Sequence, residues 1–365
     1  MNRPTVTSHF SGTYAEARSK FIDAAVYRQA AIETFVLPDC RGALDETLSI
    51  DVAYIGAADA DRLLILSSGT HGPEGFCGSG CQIATLHDDD LIARLGKSGV
   101  ALLLVHAVNP YGFSHMQRTN QDNVDLNRNH IDFDAPLPEN DEYAEVDALV
   151  LPESWPPAPE DERALADYIA RNGMLAYHRA LSSGQYTMSS GMFFGGQEPT
   201  WNNRTMRSIL RRHAARATHI AWIDVHTGLG PRGHGEKIYA GRNIAPELAR
   251  ARAWWGTDVF APFDGESESP GVSGPVASIV YDECPGAAVG LMALEFGTLP
   301  FDEMIYRLRA LHWLLRHPHV PQTQATAIRR QIRDAFYCDD DEWKGAIWAQ
   351  SRVAVLQAVT GLSQV

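Results

Sequence analysis

The stretch "RLLILSSGTHGPEGFCGSGCQIATLH" (residues 62–87) opens on an apolar run and passes through a glycine-rich turn into a helical pattern. Leu63 to Leu66 are apolar without alternation, which suits a strand covered on both faces. Residues 78–95 place Ile83, Leu86, Leu91 and Leu95 on one side of a single predicted helix. A second apolar run, "GVALLLVHAVNP" (99–110), ends in turn residues. Strand, helix and strand in this order predict an α/β fold.

The rest of the chain extends the pattern. Residues 13–35 read as a helix, with Tyr14, Ala17, Phe21, Ala24, Ala25 and Tyr27 near a 3.6-residue period. "LSIDVAYIG" (48–56) alternates as a half-buried strand does. "HIAWIDVHTG" (219–228) and "AAVGLMALEFGT" (287–298) are further buried strands. Residues 134–160, rich in proline and acids, read as an irregular surface excursion. Helices are predicted at 160–182, 202–217, 302–317, 322–337 and 341–361. The expectation is an α/β sandwich around a mixed, largely parallel sheet. It forms a single catalytic domain over 1–365, with an excursion at 134–217 and a helical region at 302–361.

Composition narrows the classes. Lys and Arg number 31 against 45 Asp and Glu, a net charge of −14. Such a balance argues against a nucleic-acid binder, while a local arginine can still hold a small anion. No apolar stretch approaches the ~20 residues of a membrane helix, so no membrane partner is expected. The first residues show no apolar core of a signal peptide. Five cysteines, sparse and odd in number, read as reduced thiols of a cytoplasmic protein.

Ligands of open α/β sheets bind beyond the carboxyl ends of the strands, and residues of catalytic type cluster there. His71 and Glu74 follow the first apolar run, stiffened by Pro73. Asp224 and His226 follow Trp222 and Ile223. Glu295 lies in the apolar run "LMALEFG", where an unpaired carboxylate is expensive. A catalytic zinc takes three protein ligands and leaves one position for water, whose pKa it lowers to about 7. His71, Glu74 and His226 supply such a set for one Zn2+. Glu295 is the candidate acid–base, and Arg118 the candidate donor to a developing oxyanion. Asn127 and Arg128 offer adjacent donors for a substrate carboxylate. Asp224 either orients a ligand or Arg118 from behind or merely caps a strand end. Each of these alone has a bland reading as a solvated loop histidine, a hydrogen-bonded core histidine or a surface ion pair; the combination does not. No GxSxG, HExxH or phosphate-loop motif competes.

With these residues in hand, the chain resembles the zinc carboxypeptidase superfamily, which also contains aspartoacylase and succinylglutamate desuccinylase. "HGPE" (71–74), "NPYGF" (109–113), Arg118 with "DLNRN" (125–129), "DVHTG" (224–228) and "LEFGT" (294–298) carry the resemblance. More narrowly, "GGQEPTWNNRT" and "IDVHTGLGPRG" are similar to a bacterial branch mostly described as a domain of unknown function. The resemblance implies a three-layer sandwich with a central mixed eight-stranded sheet. It implies the same zinc ligands, Glu295 as base and then acid, Arg118 polarising the scissile carbonyl, and Asn127 with Arg128 binding the carboxylate. Two departures stand out: the stretch from Glu74 to His226 is long, and the chain ends in helices rather than in aspartoacylase's β-rich domain. The extra length at 134–217 is expected to wall the cleft and favour small substrates.

The expected function is a zinc-dependent hydrolase of an amide in a small carboxylate-bearing substrate, similar to an N-acyl amino acid deacylase. The alternatives are a metallocarboxypeptidase trimming C-terminal residues and a non-catalytic metal- or ligand-binding protein. A small molecule or short peptide is the expected partner, and a homo-oligomer is compatible with the sequence.

Overall fold

The computed structural model describes residues 5–265, 267 and 271–365. The first four residues of the stretch read for a targeting signal lie outside it. Eight strands form one sheet: β1 (Ala31–Arg41), β2 (Thr47–Ile55), β3 (Arg62–Ser68), β4 (Ala101–His106), β5 (His219–Arg232), β6 (Gly235–Tyr239), β7 (Val259–Phe260) and β8 (Ala288–Gly297). Their order is β1-β2-β4-β3-β5-β8-β6-β7. The block β4-β3-β5-β8 is parallel, β1, β2 and β6 join antiparallel, and β7 runs parallel to β6. The sheet is therefore mixed and largely parallel, as expected.

Helices cover both faces. On one side α1 (Tyr14–Tyr27), α2 (Gly75–His87), α3 (Asp89–Ser98), α4 (Pro110–His115), α9 (Ala245–Trp255) and α13 (Asp341–Leu362) share a core with the sheet. On the other, α8 (Trp201–His213) and α10 (Val280–Glu283) pack on Leu63, Ile65, Leu103 and Trp222. A third cluster gathers α5 (Tyr143–Val150), α6 (Pro159–Asn172), α7 (Met174–Ser182), α11 (Phe301–Arg316) and α12 (Gln322–Phe336). Through α11 and α12 this cluster packs on β5. Among the described residues no helix is long and apolar enough to cross a membrane.

Several boundaries differ from the sequence reading, each for a local reason. The helix predicted at 13–35 stops at Tyr27, which is exposed. Gln29 then takes a left-handed φ of 55° and β1 begins. β2 is buried almost throughout rather than on one face. Its polar positions are satisfied inside: Asp51 accepts from Arg18 Nε at 2.7 Å and from Thr34 Oγ1 at 2.6 Å. The helix predicted at 78–95 is two helices, because Asp88 leaves the helical region and caps α3 through Leu91 N. Gly173, with φ 87°, divides 160–182 into α6 and α7. The excursion at 134–160 contains α5, whose Tyr143, Val146 and Val150 face inward despite the acidic neighbours. No element was predicted over 229–286, where β6, α9 and β7 lie.

Candidate active site

The glycine-rich turn is a close-packing device. A Cβ on Gly72 would lie 2.0 Å from the Gly112 carbonyl carbon and 2.2 Å from the Gln117 oxygen, and one on Gly75 would meet the Phe113 ring. Backbone approach this tight needs glycine, and it fixes the path from β3 into α2. His71 and Glu74 are thereby held beside the carboxyl end of β5. On the neighbouring strand His226 stands in register with Glu295 of β8. Adjacent parallel strands thus place these two on the same face of the sheet.

His71, Glu74 and His226 are all buried, and each offers one donor atom within 4.8 Å of the others. His71 Nδ1 stands 2.9 Å from Glu74 Oε1, and His226 Nδ1 2.9 Å from Glu74 Oε2. The far nitrogens face carboxylates: His71 Nε2 is 3.1 Å from Asp125 Oδ1, and His226 Nε2 is 2.8 Å from Asp224 Oδ2. Two imidazoles and a carboxylate, with each ring steadied from behind by a carboxylate, form a donor set chemically suited to zinc. Were a metal held through the two Nδ1 atoms, the remaining proton of each ring would sit on Nε2, facing Asp125 and Asp224. Arg118 Nη2 lies 2.9 Å from the same His71 Nε2; in that tautomer it faces a donor and is free to bind elsewhere.

Burial alone would raise the pKa of Glu74, but the two histidines outweigh it and hold the group below the usual carboxylate range. Asp125 is likewise held low against its burial, chiefly by Arg118 and His71. His226 moves up: Asp224 and Glu74 overcome a desolvation that opposes its charge. Glu295 is pushed up to about 8, first by burial and then by the charge of Glu74. Its Oε1 accepts from Leu229 N at 3.1 Å.

Arg118 donates to Glu74 Oε1 and Asp125 Oδ2, both at 3.2 Å, and lies 5.2 Å over the Phe193 ring. Asn127 Oδ1 accepts from Val276 N at 2.9 Å. Arg128 is only 4 % exposed. Its Nη1 and Nη2 donate to the carbonyls of Asn127 and Ser182, and its Nε has no hydrogen-bond partner. Among the described residues no carboxylate pairs with it.

All of the sequence-predicted residues except Asp224 line one pocket of about 260 Å³. Asp224 sits behind His226 and is tied by Ser67 and Thr70. Sequence reasoning gave no role to Asp125, Phe193 or the α11 face. Asp125 had a signal inside "DLNRN"; Phe193 and α11 reach the site only through the tertiary fold. Tyr239 also lines the pocket, whereas Tyr281 donates to Glu247 away from it.

The chain is similar to the carboxypeptidase A of Helicoverpa armigera at 13 % identity and a TM-score of 0.43, over 89 % of this chain and 74 % of that one. A putative carboxypeptidase A from Shewanella denitrificans matches at 12 % and 0.45, over 90 % and 71 %. A metallo-carboxypeptidase from Pseudomonas aeruginosa matches at 14 % and 0.41, over 92 % and 69 %. No curated protein matches. The family model described as "Protein of unknown function (DUF2817)" matches residues 10–350, nearly the whole chain, and the protein belongs to that family.

Proposed function

We propose that the protein is a zinc-dependent hydrolase, holding one ion per chain, that cleaves the amide bond of a small carboxylate-bearing substrate such as an N-acyl amino acid. The observation that carries this reading is the content of one pocket. A His–Glu–His donor set, a carboxyl group with a raised pKa and a buried arginine without an ion pair all line it. A buried cation whose donors meet only carbonyls is poised for an anion.

A zinc ion held by His71, Glu74 and His226 would supply Lewis acidity at the carbonyl and lower the pKa of water to about 7. Arg128 and the Asn127 amide bind the substrate carboxylate and so fix the scissile amide beside Glu295. Arg118 turns its free Nη2 toward the carbonyl oxygen as charge develops there. With a metal's positive charge beside it, Glu295 would ionise, take a proton from water and return it to the leaving nitrogen. Leu229 N keeps the Glu295 carboxyl aimed through both transfers. Ser182, Phe193 and the α11 face contribute to the pocket's lining.

The test is a mixed panel of N-acyl amino acids and short peptides incubated with zinc-loaded protein, with a chelator control, read by mass spectrometry. Chelator-sensitive release of free acid from acyl amino acids is the expected result. Loss of single C-terminal residues from peptides instead would establish a carboxypeptidase. No product from zinc-bound protein would leave a binding protein.

A further inference from the structure

Both arginines of the pocket meet the same side chain. The guanidinium carbons of Arg118 and Arg128 lie 5.2 and 5.6 Å from the centre of the Phe193 ring. Phe193 is buried and lines the pocket. Its backbone φ is 53°, in the left-handed region that a bulky side chain rarely adopts. Such strain persists where the surroundings over-determine it, and it gathers at functional sites.

The surroundings here are a clamp. Phe193 O accepts from Gln185 N at 3.2 Å, and Gln185 O accepts from Gly195 N at 2.8 Å. Phe194 O accepts from Asp125 N at 2.8 Å. Tyr186 Oη donates to Arg128 O at 2.7 Å, and Asn129 Nδ2 donates to Gly195 O at 2.8 Å. The loop after α7 is thereby fastened to 125–129, the stretch that supplies Asp125, Asn127 and Arg128. The strained backbone delivers one ring to both guanidinium groups.

The kind of contact matters. A carboxylate beside Arg128 would neutralise its charge and occupy its N–H groups. An aromatic face attracts the cation through its quadrupole and takes no N–H group. Arg118 already commits Nε to Asp125, and the ring restrains it further without using Nη1 or Nη2. Resting on the hydrolase reading above, we infer that Phe193 is a positioning residue for both arginines: its ring holds Arg118 for the oxyanion and Arg128 for the substrate carboxylate while leaving their charge to the ligand.

The experiment compares Phe193→Leu and Phe193→Met, which remove the ring but keep an apolar side chain, with Phe193→Tyr, which keeps the ring. Turnover is read on the zinc-loaded proteins with the acyl amino acid that wild type cleaves fastest. Without the ring, kcat should fall and KM should rise, each by about 5- to 30-fold, the strength of a desolvated cation–π contact. Phe193→Tyr should restore both to within about twofold of wild type, since its ring has the same face. Calorimetric titration of the chelator-treated proteins with N-benzoylglycine and N-benzoylglycinamide gives a readout without turnover. The ringless variants should bind the carboxylate more weakly by the same factor and the carboxamide unchanged. Ringless variants that match wild type in kcat, KM and affinity would overturn the inference. So would a Tyr variant as impaired as they are, or equal weakening for carboxylate and carboxamide, the mark of a merely structural role. No turnover by any of the proteins, with the calorimetric pattern intact, would overturn the hydrolase reading and keep the role of Phe193 at Arg128.

Discussion

Replacing Glu295 by glutamine removes a carboxyl group that the metal-free fold holds in its neutral form. Its pKa rises from the ordinary 4.5 to about 8, and the residue is only 8 % exposed. In the unfolded chain the group ionises near 4.5, so a raised folded value means that stability falls as pH climbs from about 4.5 to about 8. At 1.36 kcal/mol per pH unit the full cost is about 5 kcal/mol. Local relaxation of the kind seen for buried charges sets a floor near half of that, about 2 kcal/mol. Unfolding entropy of about 2.1 cal/mol/K per residue over 365 residues converts this range to about 3–6 °C. The assay is thermal unfolding of wild type and Glu295→Gln, both kept metal-free with chelator, at pH 5 and pH 9. Other titrating groups are common to both proteins and cancel. The difference in Tm, variant minus wild type, should grow by about 3–6 °C from pH 5 to pH 9. Parallel Tm curves across that range would refute the burial argument for Glu295.

Asp224→Asn should weaken zinc binding by about 10- to 100-fold, read by competition with a chromophoric chelator, because it removes the negative charge behind His226; an unchanged affinity would reduce Asp224 to a strand-end tie. Arg128→Met should lower kcat/KM by about 10- to 100-fold for a substrate with a free carboxylate. It should lower it far less for the matching carboxamide; equal losses on both would contradict carboxylate recognition. Gly72→Ala should cost about 3 kcal/mol and about 4 °C in Tm, because its new Cβ meets backbone rather than a movable side chain.

The metal-site candidates were legible because they stand where apolar runs end. His71, Glu74, His226 and Glu295 follow or interrupt stretches that could only be buried strands, and a buried polar group demands a reason. Asp125 was harder, since it caps Asn127 N at 2.9 Å, a local duty that accounts for an aspartate before a turn. Phe193 and the face of α11 had no local signal, as they meet the site only through the packing of the third helical cluster. β1 escaped notice because an edge strand needs no strong pattern, and its Pro38 reads as a loop residue. α5 was hidden by composition: Tyr143, Val146 and Val150 keep a helical spacing inside an acidic, proline-rich stretch. Strand order lies beyond local patterning altogether, so the neighbouring of β5 and β8 that sets His226 beside Glu295 emerged only with the fold.

The central claim is that one metal ion at His71, Glu74 and His226 is what makes this pocket a hydrolase. Titrating chelator-stripped protein with zinc while following hydrolysis of an N-acyl amino acid tests it most directly. The account predicts that activity rises in step with occupancy and saturates at one ion per chain, and that His71→Ala and His226→Ala neither bind nor turn over. Full activity in the stripped protein, or zinc binding undiminished in both variants, would contradict it.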